Sequence, residues 1–367
     1  MRRSNQPTSS RGTARKGFSL ALPVAALLVV AVACSGTSTP GGTVTPEGPA
    51  SGGSSANPSP TATPTPTPPP SPTSPPAYPM TLVDDEGTDL TLEAEPERVV
   101  SLTPATTELL FALGDGDKLV GRTDFDDYPP EAAEVPAVAS FTGVLIEQVV
   151  DADPDLVIAG GNNFTSAEDV QRLRDLGMQV LVVYAEDLDG VLADIELVGR
   201  AVGAATEAAE ITTSIQSRID EVTAATADLD KPLVFYEIGY GPEIYAPAPN
   251  FFVTDMIEIA GGEAVTTADP AVFSISLEQL VTADPDVIVL GDAAYPPPVC
   301  PDAVAARDGW AGITAVETGD IRPVNDIIVT RPGPRIGEGL AALALAIHPD
   351  VQVAPVQDET PDLCAAT

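Results

Sequence analysis

From residue 96 to residue 347, short apolar segments alternate with segments of helical periodicity. Apolar runs such as Arg98 to Leu102 and Val180 to Tyr184 are typical of strands that are buried on both faces. Because strands of this kind alternate with helices, the pattern predicts an α/β fold with helix-covered parallel sheets. The predicted strands are 98–102, 118–121, 155–159, 180–184, 233–238, 286–290 and 321–324.

Helical periodicity fills the segments between these strands. The first helix is predicted from Thr106 to Leu113, with Thr106 or Thr107 as its N-cap, because hydroxyl side chains cap helix N-termini. Residues 188–228 contain almost no helix-breaking residue, so this stretch predicts a long helical bridge between two α/β halves. The other predicted helices are 166–176, 254–260 and 337–347.

An internal repeat supports the division into two halves. The segments Glu147 to Gly160 (EQVVDADPDLVIAG) and Glu278 to Gly291 (EQLVTADPDVIVLG) are identical at eight of 14 positions. Each copy predicts a helix that stops at Asp-Pro and leads into a buried strand, because proline disfavours helical backbone in the preceding residue. The repeat predicts two lobes of like design. Convergence of two helix–strand joints on one solution is the alternative.

The first 33 residues have the pattern of an export signal. Basic residues and no acidic ones precede an apolar stretch from Phe18 to Ala33, which is shorter than the roughly 20 residues of a membrane-spanning helix. Small residues then lead to Cys34, and this junction resembles a bacterial lipobox, in which the cysteine thiol receives a lipid. We therefore expect an extracytoplasmic protein that a lipid on Cys34 anchors to the cell membrane. A signal peptide cleaved at an ordinary site is the alternative.

The segment after this cysteine is predicted to be a tether. It consists almost entirely of Pro, Thr, Ser, Gly and Ala, so it has too little apolar surface to fold, and its proline-rich half should be extended. The predicted organisation of the whole chain is a signal peptide at 1–33, a lipidated cysteine with its tether at 34–78, a short extension at 79–95, an N-terminal lobe at 96–187, a linking helix region at 188–230, a C-terminal lobe at 231–350 and a tail at 351–367.

The formal net charge of −37 excludes several classes of partner. Nucleic acids and anionic lipid surfaces bind clusters of Lys and Arg, and this chain offers none on that scale. Its acidic residues are spread along the folded part, which indicates solubility or adaptation to high salt. The cluster Asp124, Asp126 and Asp127 lacks the glycine and terminal glutamate of a calcium loop, so capping and solvation are favoured over a cation site.

The cysteines and the histidine limit the possible cross-links and metal sites. With Cys34 lipidated, Cys300 and Cys364 remain as a pair in an oxidising compartment, and we predict a disulfide between them. Two free thiols are the alternative. His348 is the only histidine of the chain, so a metal site built from histidines is not available.

The repeat and three further segments together resemble the substrate-binding proteins of ABC importers for iron chelates, haem and vitamin B12. These segments run from Pro96 to Ala132 (PERVVSLTPATTELLFALGDGDKLVGRTDFDDYPPEA), from Ala260 to Glu263 (AGGE) and from Arg331 to Ile336 (RPGPRI). The resemblance implies two Rossmann-like lobes, one long backbone helix between them and a ligand cleft between the lobes. It also implies a monomer without a resident cofactor that delivers a small metal chelate to a permease dimer and its ATPase.

The resemblance further implies which residues line the cleft, since the ligand of this family lies near the carboxyl ends of the strands. Phe125 and Phe141 match positions whose aromatic rings line the cleft of B12-binding members, and Arg331 matches a polar cleft position. Arg335 is expected to be structural. Residues that fall near cleft positions with a looser match are Tyr128, Phe164, Tyr240, Tyr245 and Phe273. For Tyr128, packing of the neighbouring Pro-Pro turn is an equally open alternative.

Glu147 and Glu278 head the two copies of the repeat, so the repeat places one on each lobe. In the family that the chain resembles, a glutamate on each lobe pairs with arginines of the permease, and these two residues are the predicted docking pair. The alternative is that each is a helix N-terminal acid favoured by the helix dipole.

The expected function is therefore binding and delivery, without catalysis. The sequence has no G-x-S-x-G segment, no P-loop and no histidine pair, which excludes the enzymes that these motifs mark. Flat aromatic rings suit a large, mostly apolar macrocycle. Because the cleft loops have few basic residues and no histidine, a neutral corrinoid such as cobalamin is favoured. Haem and anionic ferric siderophores stay open, as does a surface or signalling lipoprotein without a transport role.

Overall fold

The computed structural model of the protein describes residues 78–161, 164–293 and 299–357. The predicted signal peptide, Cys34, nearly all of the tether and Cys364 lie outside these residues. None of the described helices combines the length with the apolar character that crossing a membrane requires.

The chain first forms a hairpin that the sequence analysis did not predict. Strands β1 (Met80–Val83) and β2 (Asp89–Leu92) pair in antiparallel register. Alternate residues are buried, and Leu82 and Leu90 join the main hydrophobic core. The buried Asp84 accepts a hydrogen bond from the Thr88 backbone N–H at 2.7 Å and pairs with Arg174 at 2.8 Å. The hairpin is therefore part of the N-terminal lobe and not a loose extension.

The N-terminal lobe is a six-stranded sheet with helices between its strands. Its order is β6-β5-β4-β3-β7-β8, and all neighbours are parallel except β5 and β6. The elements are β3 (Val99–Ser101), α1 (Pro104–Ala112), β4 (Leu119–Thr123), β5 (Ala137–Ser140), β6 (Gly143–Val144), α2 (Ile146–Ala152), β7 (Leu156–Gly160), α3 (Ala167–Asp175) and β8 (Val180–Val183).

Helix α1 begins before the predicted residue. The N-cap is Thr103 and not Thr106 or Thr107, because Thr103 has extended backbone and its side chain accepts a hydrogen bond from the Thr106 backbone N–H. Pro104 occupies the first helical position, where its fixed φ fits and its missing N–H removes no hydrogen bond.

The linking region 188–230 contains two helices and not one. Helix α4 (Leu188–Val202) ends at Gly203, whose φ of 88° is left-handed, and α5 (Ala205–Thr226) follows. The stretch 188–228 is therefore helical but divided at Gly203, because the glycine closes α4 in the manner of a helix C-cap. Helix α5 alone leads from one lobe to the other, and it buries Ile215 and Val222 in the main core.

The C-terminal lobe repeats the design around a four-stranded parallel sheet of order β12-β9-β14-β15. A small antiparallel sheet, β10-β11-β13, lies beside it. The elements are β9 (Leu233–Glu237), β10 (Gly239–Tyr240), β11 (Ile244–Tyr245), α6 (Phe252–Ile259), β12 (Glu263–Ala264), β13 (Ser274–Ile275), α7 (Leu277–Ala283), β14 (Val287–Leu290), α8 (Pro301–Ala305), α9 (Thr314–Thr318), β15 (Ile321–Pro323), α10 (Asp326–Thr330) and α11 (Ile336–Ile347).

The internal repeat has the same backbone geometry in both lobes. Helix α2 ends at Asp153 with φ 46°, and α7 ends at Asp284 with φ 51°, both left-handed. Each aspartate precedes the proline that blocks the helix, and a buried parallel strand follows, β7 or β14. Aspartate tolerates this conformation better than most residues, so both copies of the sequence encode the same stop.

The C-terminal lobe also contains the cysteine of the predicted disulfide that the structure describes. Cys300 precedes α8 and is disulfide-bonded. Its predicted partner, Cys364, lies outside the described residues, so the pairing of these two cysteines stays a prediction.

Candidate ligand-binding site

Three phenylalanines come together at one edge of the N-terminal sheet. Phe125 follows β4, Phe141 lies in the turn between β5 and β6, and Phe164 follows β7. The rings of Phe125 and Phe141 are stacked at 4.5 Å between centroids, and Phe164 meets Phe125 edge-on at 6.2 Å. Phe141 is 88% exposed and Phe164 is 57% exposed. Such exposed aromatic surface is typical of a ligand or partner site and not of a core.

The close fit of the chain around Gly160 explains the position of Phe164. A Cβ atom on Gly160 would lie 2.8 Å from the Thr103 methyl group and 3.0 Å from the Phe164 ring. The end of β7 therefore has no room for a side chain of its own, and the ring of Phe164 fills this space from four residues further along.

The loop that carries Phe125 is held by the buried Asp126. Its carboxylate accepts hydrogen bonds from the Thr107 hydroxyl at 2.6 Å and from the Thr123 backbone N–H at 3.1 Å. Burial raises the pKa of Asp126, and these hydrogen bonds oppose that rise. The neighbouring Asp124 is exposed. The aspartate cluster thus divides into a buried residue that fixes the loop and exposed residues on its surface.

An ionic cluster joins this loop to the C-terminal lobe. We call the residues Glu108, Asp127, Tyr128, Arg331 and Arg335 the interlobe arginine cluster. Arg331 donates to Glu108 at 2.8 Å and to Asp127 at 2.7 Å, while Arg335 donates to both carboxylate oxygens of Glu108 at 2.9 and 2.8 Å. The guanidinium of Arg335 also lies 3.7 Å from the centre of the Tyr128 ring. Glu108 and Tyr128 belong to one lobe and both arginines to the other.

Burial and ion pairing have opposite effects on the pKa of the Arg331 guanidinium. Burial lowers the pKa of this guanidinium, but its hydrogen bonds with Asp127 and Glu108 outweigh that effect and raise the pKa above the ordinary value.

The backbone between Arg331 and Arg335 approaches the other lobe closely, since a Cβ atom on Gly333 would lie 3.3 Å from the Ala105 carbonyl oxygen. The two lobes are thus connected here as well as through α5.

A second arginine supports an aromatic ring of the C-terminal lobe. Arg307 donates to the two carboxylate oxygens of the fully buried Glu237 at 2.6 and 2.9 Å. Its guanidinium lies 3.7 Å from the centre of the Tyr240 ring, which meets Trp310 edge-on at 5.8 Å. Tyr240 is 46% exposed, so this network presents one face of the phenol to solvent.

A buried carboxyl group lies beside this network. Asp292 follows β14, is 6% exposed, and its Oδ1 atom has no hydrogen-bond partner within the described part of the chain. Burial, together with the neighbouring Glu237 carboxylate, raises the pKa of Asp292 to about 7. The nearby guanidinium of Arg307 opposes this rise in the pKa of Asp292.

The remaining predicted residues lie on the small sheet of the C-terminal lobe. Tyr245 is on β11 and is 38% exposed. Phe273 is half-buried and meets Phe251 edge-on at 5.6 Å. The ring of Phe251 in turn lies 4.6 Å from that of Phe252, between centroids.

A cavity of about 260 Å³ lies elsewhere, between α5 and α11. Its lining includes the ion pairs of Arg218 with Glu221 and Glu338. No aromatic side chain lines it, and it contains none of the predicted ligand-binding residues, so it does not compete with the aromatic site.

A known protein family matches most of the two lobes. The profile of the periplasmic binding protein family matches residues 99–326, which include most of both lobes and the helices between them. The chain belongs to the periplasmic binding protein family. The resemblance inferred from the sequence is thereby confirmed, and so is the two-lobed α/β fold class.

Individual members of the family give a similar result. The chain is 34% identical to the ABC transporter substrate-binding lipoprotein YvrC of Bacillus subtilis, over 74% of this chain and 87% of that protein. It is 35% identical to a cobalamin-binding protein of Halobacterium salinarum, over 74% and 75%. Among solved structures, the periplasmic haem-binding protein RhuT of Roseiflexus matches with a TM-score of 0.61 and 26% identity, over 70% of this chain and 99% of that one.

The structure brings some of the predicted site residues together and separates others. Phe125, Phe141 and Phe164 form one aromatic surface, and Tyr128 and Arg331 join the cluster beside it. Tyr240, Tyr245 and Phe273 lie on or directly beside the small antiparallel sheet of the other lobe, where β10 pairs with β11 and Tyr245 pairs with Ser274. Residues that the sequence analysis did not single out are Glu108, Glu237, Arg307, Trp310 and Asp292. Their partners lie tens to hundreds of residues away, so no local pattern marks them.

Proposed function

We propose that the chain is the lipid-anchored, extracytoplasmic binding protein of an ABC importer and that it captures a corrinoid such as cobalamin. In this proposal it works as a monomer, takes the ligand between its lobes and delivers it to a permease dimer that carries an ATPase. The names of the Bacillus and Halobacterium relatives support the importer role and the ligand respectively. The chain itself performs no reaction in this role.

The observation that carries the ligand assignment is the stacked pair of Phe125 and Phe141. The rings lie 22° from parallel, and Phe141 leaves 88% of its surface to solvent. A flat, wide and rigid apolar surface contributes to binding when it covers a planar ring system, because two rigid bodies lose little conformational entropy on contact. A corrin ring and its neighbouring base offer such planes.

The position of the single histidine also favours a corrinoid over haem. The Nε2 atom of His348 lies 3.1 Å from the Gly261 carbonyl oxygen, at the end of α11 and away from the aromatic surface. Histidine is therefore not offered to a haem iron at the proposed site. Proteins of the same fold class also bind haem or ferric siderophores, so these compounds are compared with the corrinoid in the binding experiment.

The predicted docking residues are exposed on both lobes. Glu147 lies in the first turn of α2 and Glu278 in the first turn of α7. Neither carboxylate forms an ion pair with any residue that the structure describes. Exposed apolar side chains lie near them in sequence: Leu145, Val150, Val272 and Val281. An unpaired carboxylate beside apolar surface supports a role in protein contact, since acids without partners are free to meet arginines of another chain.

Isothermal calorimetry of the purified protein tests the ligand assignment. We expect cyanocobalamin to bind with a dissociation constant of about 1 μM or tighter, which corresponds to about 8 kcal/mol. Haem, ferrichrome and ferric citrate form the comparison set. Heat from one of these three and none from cyanocobalamin would reassign the ligand, and the absence of binding to all four would remove the proposal.

Replacement of Phe141 by alanine tests the aromatic surface. We expect about 30-fold weaker binding of cyanocobalamin, because truncation of a central aromatic contact typically costs about 2 kcal/mol. The fold should be unaffected, since this side chain is almost fully exposed. The control is Leu176→Ala, which removes a 55% exposed apolar side chain beyond the C-terminal end of α3. Equal effects of the two substitutions would contradict a specific aromatic contact.

A further inference from the structure

Arg331 and Arg335, which lie beside the aromatic residues, are neutralised by carboxylates of the chain itself. In the interlobe arginine cluster, two guanidinium groups face two carboxylates, those of Glu108 and Asp127. Arg331 is shared between both acids, and Arg335 uses both oxygens of Glu108. The cluster therefore has no net charge, although it contains two strong cations.

The other cations near the site are engaged as well. Arg307 forms two hydrogen bonds with Glu237 and lies against Tyr240. Arg122, at the start of the loop that carries Phe125, donates to the backbone carbonyl oxygens of Thr123 and Ala133. A ligand that approaches the stacked phenylalanines thus meets aromatic faces and arginines that carboxylates already pair, with Arg122 as the arginine that only backbone carbonyl oxygens hold.

This arrangement distinguishes between two kinds of ligand. A carboxylate on a ligand binds best to a guanidinium that offers parallel N–H donors. Here it has to displace Asp127 or Glu108 from Arg331, and the displaced carboxylate then lies close to the incoming one with the same charge. A neutral ligand with amide side chains does not have to displace either carboxylate, because an amide needs no oppositely charged partner.

We propose that Asp127, together with Glu108, is a specificity determinant that excludes anionic ligands by occupying the arginines of the interlobe cluster. This inference rests on the proposed function, which places the ligand at the aromatic surface. The two acids have different environments. The side chain of Glu108 is 2% exposed and that of Asp127 is 56% exposed. Asp127 is therefore the member that a substitution removes without disturbing the core.

The experiment compares Asp127→Asn with Asp124→Asn. Both substitutions remove one negative charge from the same exposed loop, but Asp124 has no hydrogen bond or ion pair from its side chain to a described residue, whereas Asp127 holds Arg331. The probes are cyanocobalamin and a monocarboxylic acid derivative in which one side-chain amide is a carboxylate. These two ligands share the macrocycle and differ in one charge.

The measured quantity is the ratio of the two dissociation constants for each variant. We expect the wild type to bind the carboxylate derivative at least about tenfold more weakly, and Asp127→Asn to reduce that ratio by about tenfold, the size of one charge-assisted contact. Asp124→Asn should leave the ratio unchanged. An unchanged ratio in Asp127→Asn, or an equal change in both variants, would overturn the inference.

Failure of the proposed function gives a different result. In that case the wild type binds neither corrinoid, and the same three proteins are compared with haem and haem dimethyl ester, in which methyl esters replace the two charged carboxylates. A preference for the ester that Asp127→Asn alone reduces supports the inference for another macrocycle. A preference for free haem in the wild type contradicts it.

Discussion

Replacing Glu108 with glutamine should lower the free energy of unfolding by about 3–5 kcal/mol. The carboxylate of Glu108 is buried and accepts hydrogen bonds from both Arg331 and Arg335. Removing one partner of a buried ionic network leaves the remaining charges desolvated without compensation, and this usually costs about that amount. Urea denaturation at neutral pH, followed by circular dichroism, measures the loss.

The same substitution at Glu147 provides the matched control. Glu147 is also a helical glutamate, but it is exposed and pairs with no described cation, so Glu147→Gln should change the free energy by no more than about 0.5 kcal/mol. A double-mutant cycle of Glu108→Gln with Arg335→Gln should give a coupling energy of about 1–3 kcal/mol. A loss below about 1 kcal/mol in Glu108→Gln would mean that the interlobe arginine cluster does not hold the lobes together.

Transport of the ligand should depend on the acidic residues at positions 147 and 278. A double variant with Glu147→Lys and Glu278→Lys should reduce transport of the ligand to background, about 100-fold or more, and leave ligand binding within about twofold of wild type. In the proposed docking, each lysine would place a like charge against an arginine of the permease, and like charges at an interface cost several kcal/mol at each site. Uptake of labelled ligand by cells that have this chain as their binding protein, together with calorimetry, measures both quantities.

The control for uptake is the double variant Glu168→Lys and Glu317→Lys. Both residues are exposed helical acids, one on each lobe, so the control matches the change in net charge. Glu168 also matches Glu147 and Glu278 in position relative to the helix dipole, because each of these three is the second residue of its helix. It should transport normally. If both double variants lose transport to the same extent, the effect comes from overall charge, and Glu147 and Glu278 have no specific docking role.

The sequence does not predict contacts between site residues that lie far apart along the chain. Phe125 follows the predicted strand 118–121, but the strand before Phe141, β5, was not among the predicted strands. Phe141 was therefore found only through the resemblance to a family, and its stacking on Phe125 at 4.5 Å is seen only in the structure. Arg331 carried a signal only through the resemblance to a family. Its pairing with Glu108, which lies 223 residues earlier in the chain, has no counterpart in any local pattern.

The sequence by itself determined the class of fold, the repeat and the positions of most parallel strands in the two main sheets. Hydrophobic periodicity and the Asp-Pro stops are local properties, and the left-handed Asp153 and Asp284 have the same geometry in both lobes. The split of the linking region at Gly203 had a local signal too, but a single glycine also occurs inside helices.

The tertiary structure alone decided which charges meet. The N-terminal hairpin brings Asp84 to Arg174, and the interlobe arginine cluster consists of acids of one lobe that meet bases of the other. Most charged residues of an acidic chain are solvated, so their identity does not reveal which few become buried. That selection is made when the lobes pack together and remove particular carboxylates from water, because only there does an unpaired charge become costly.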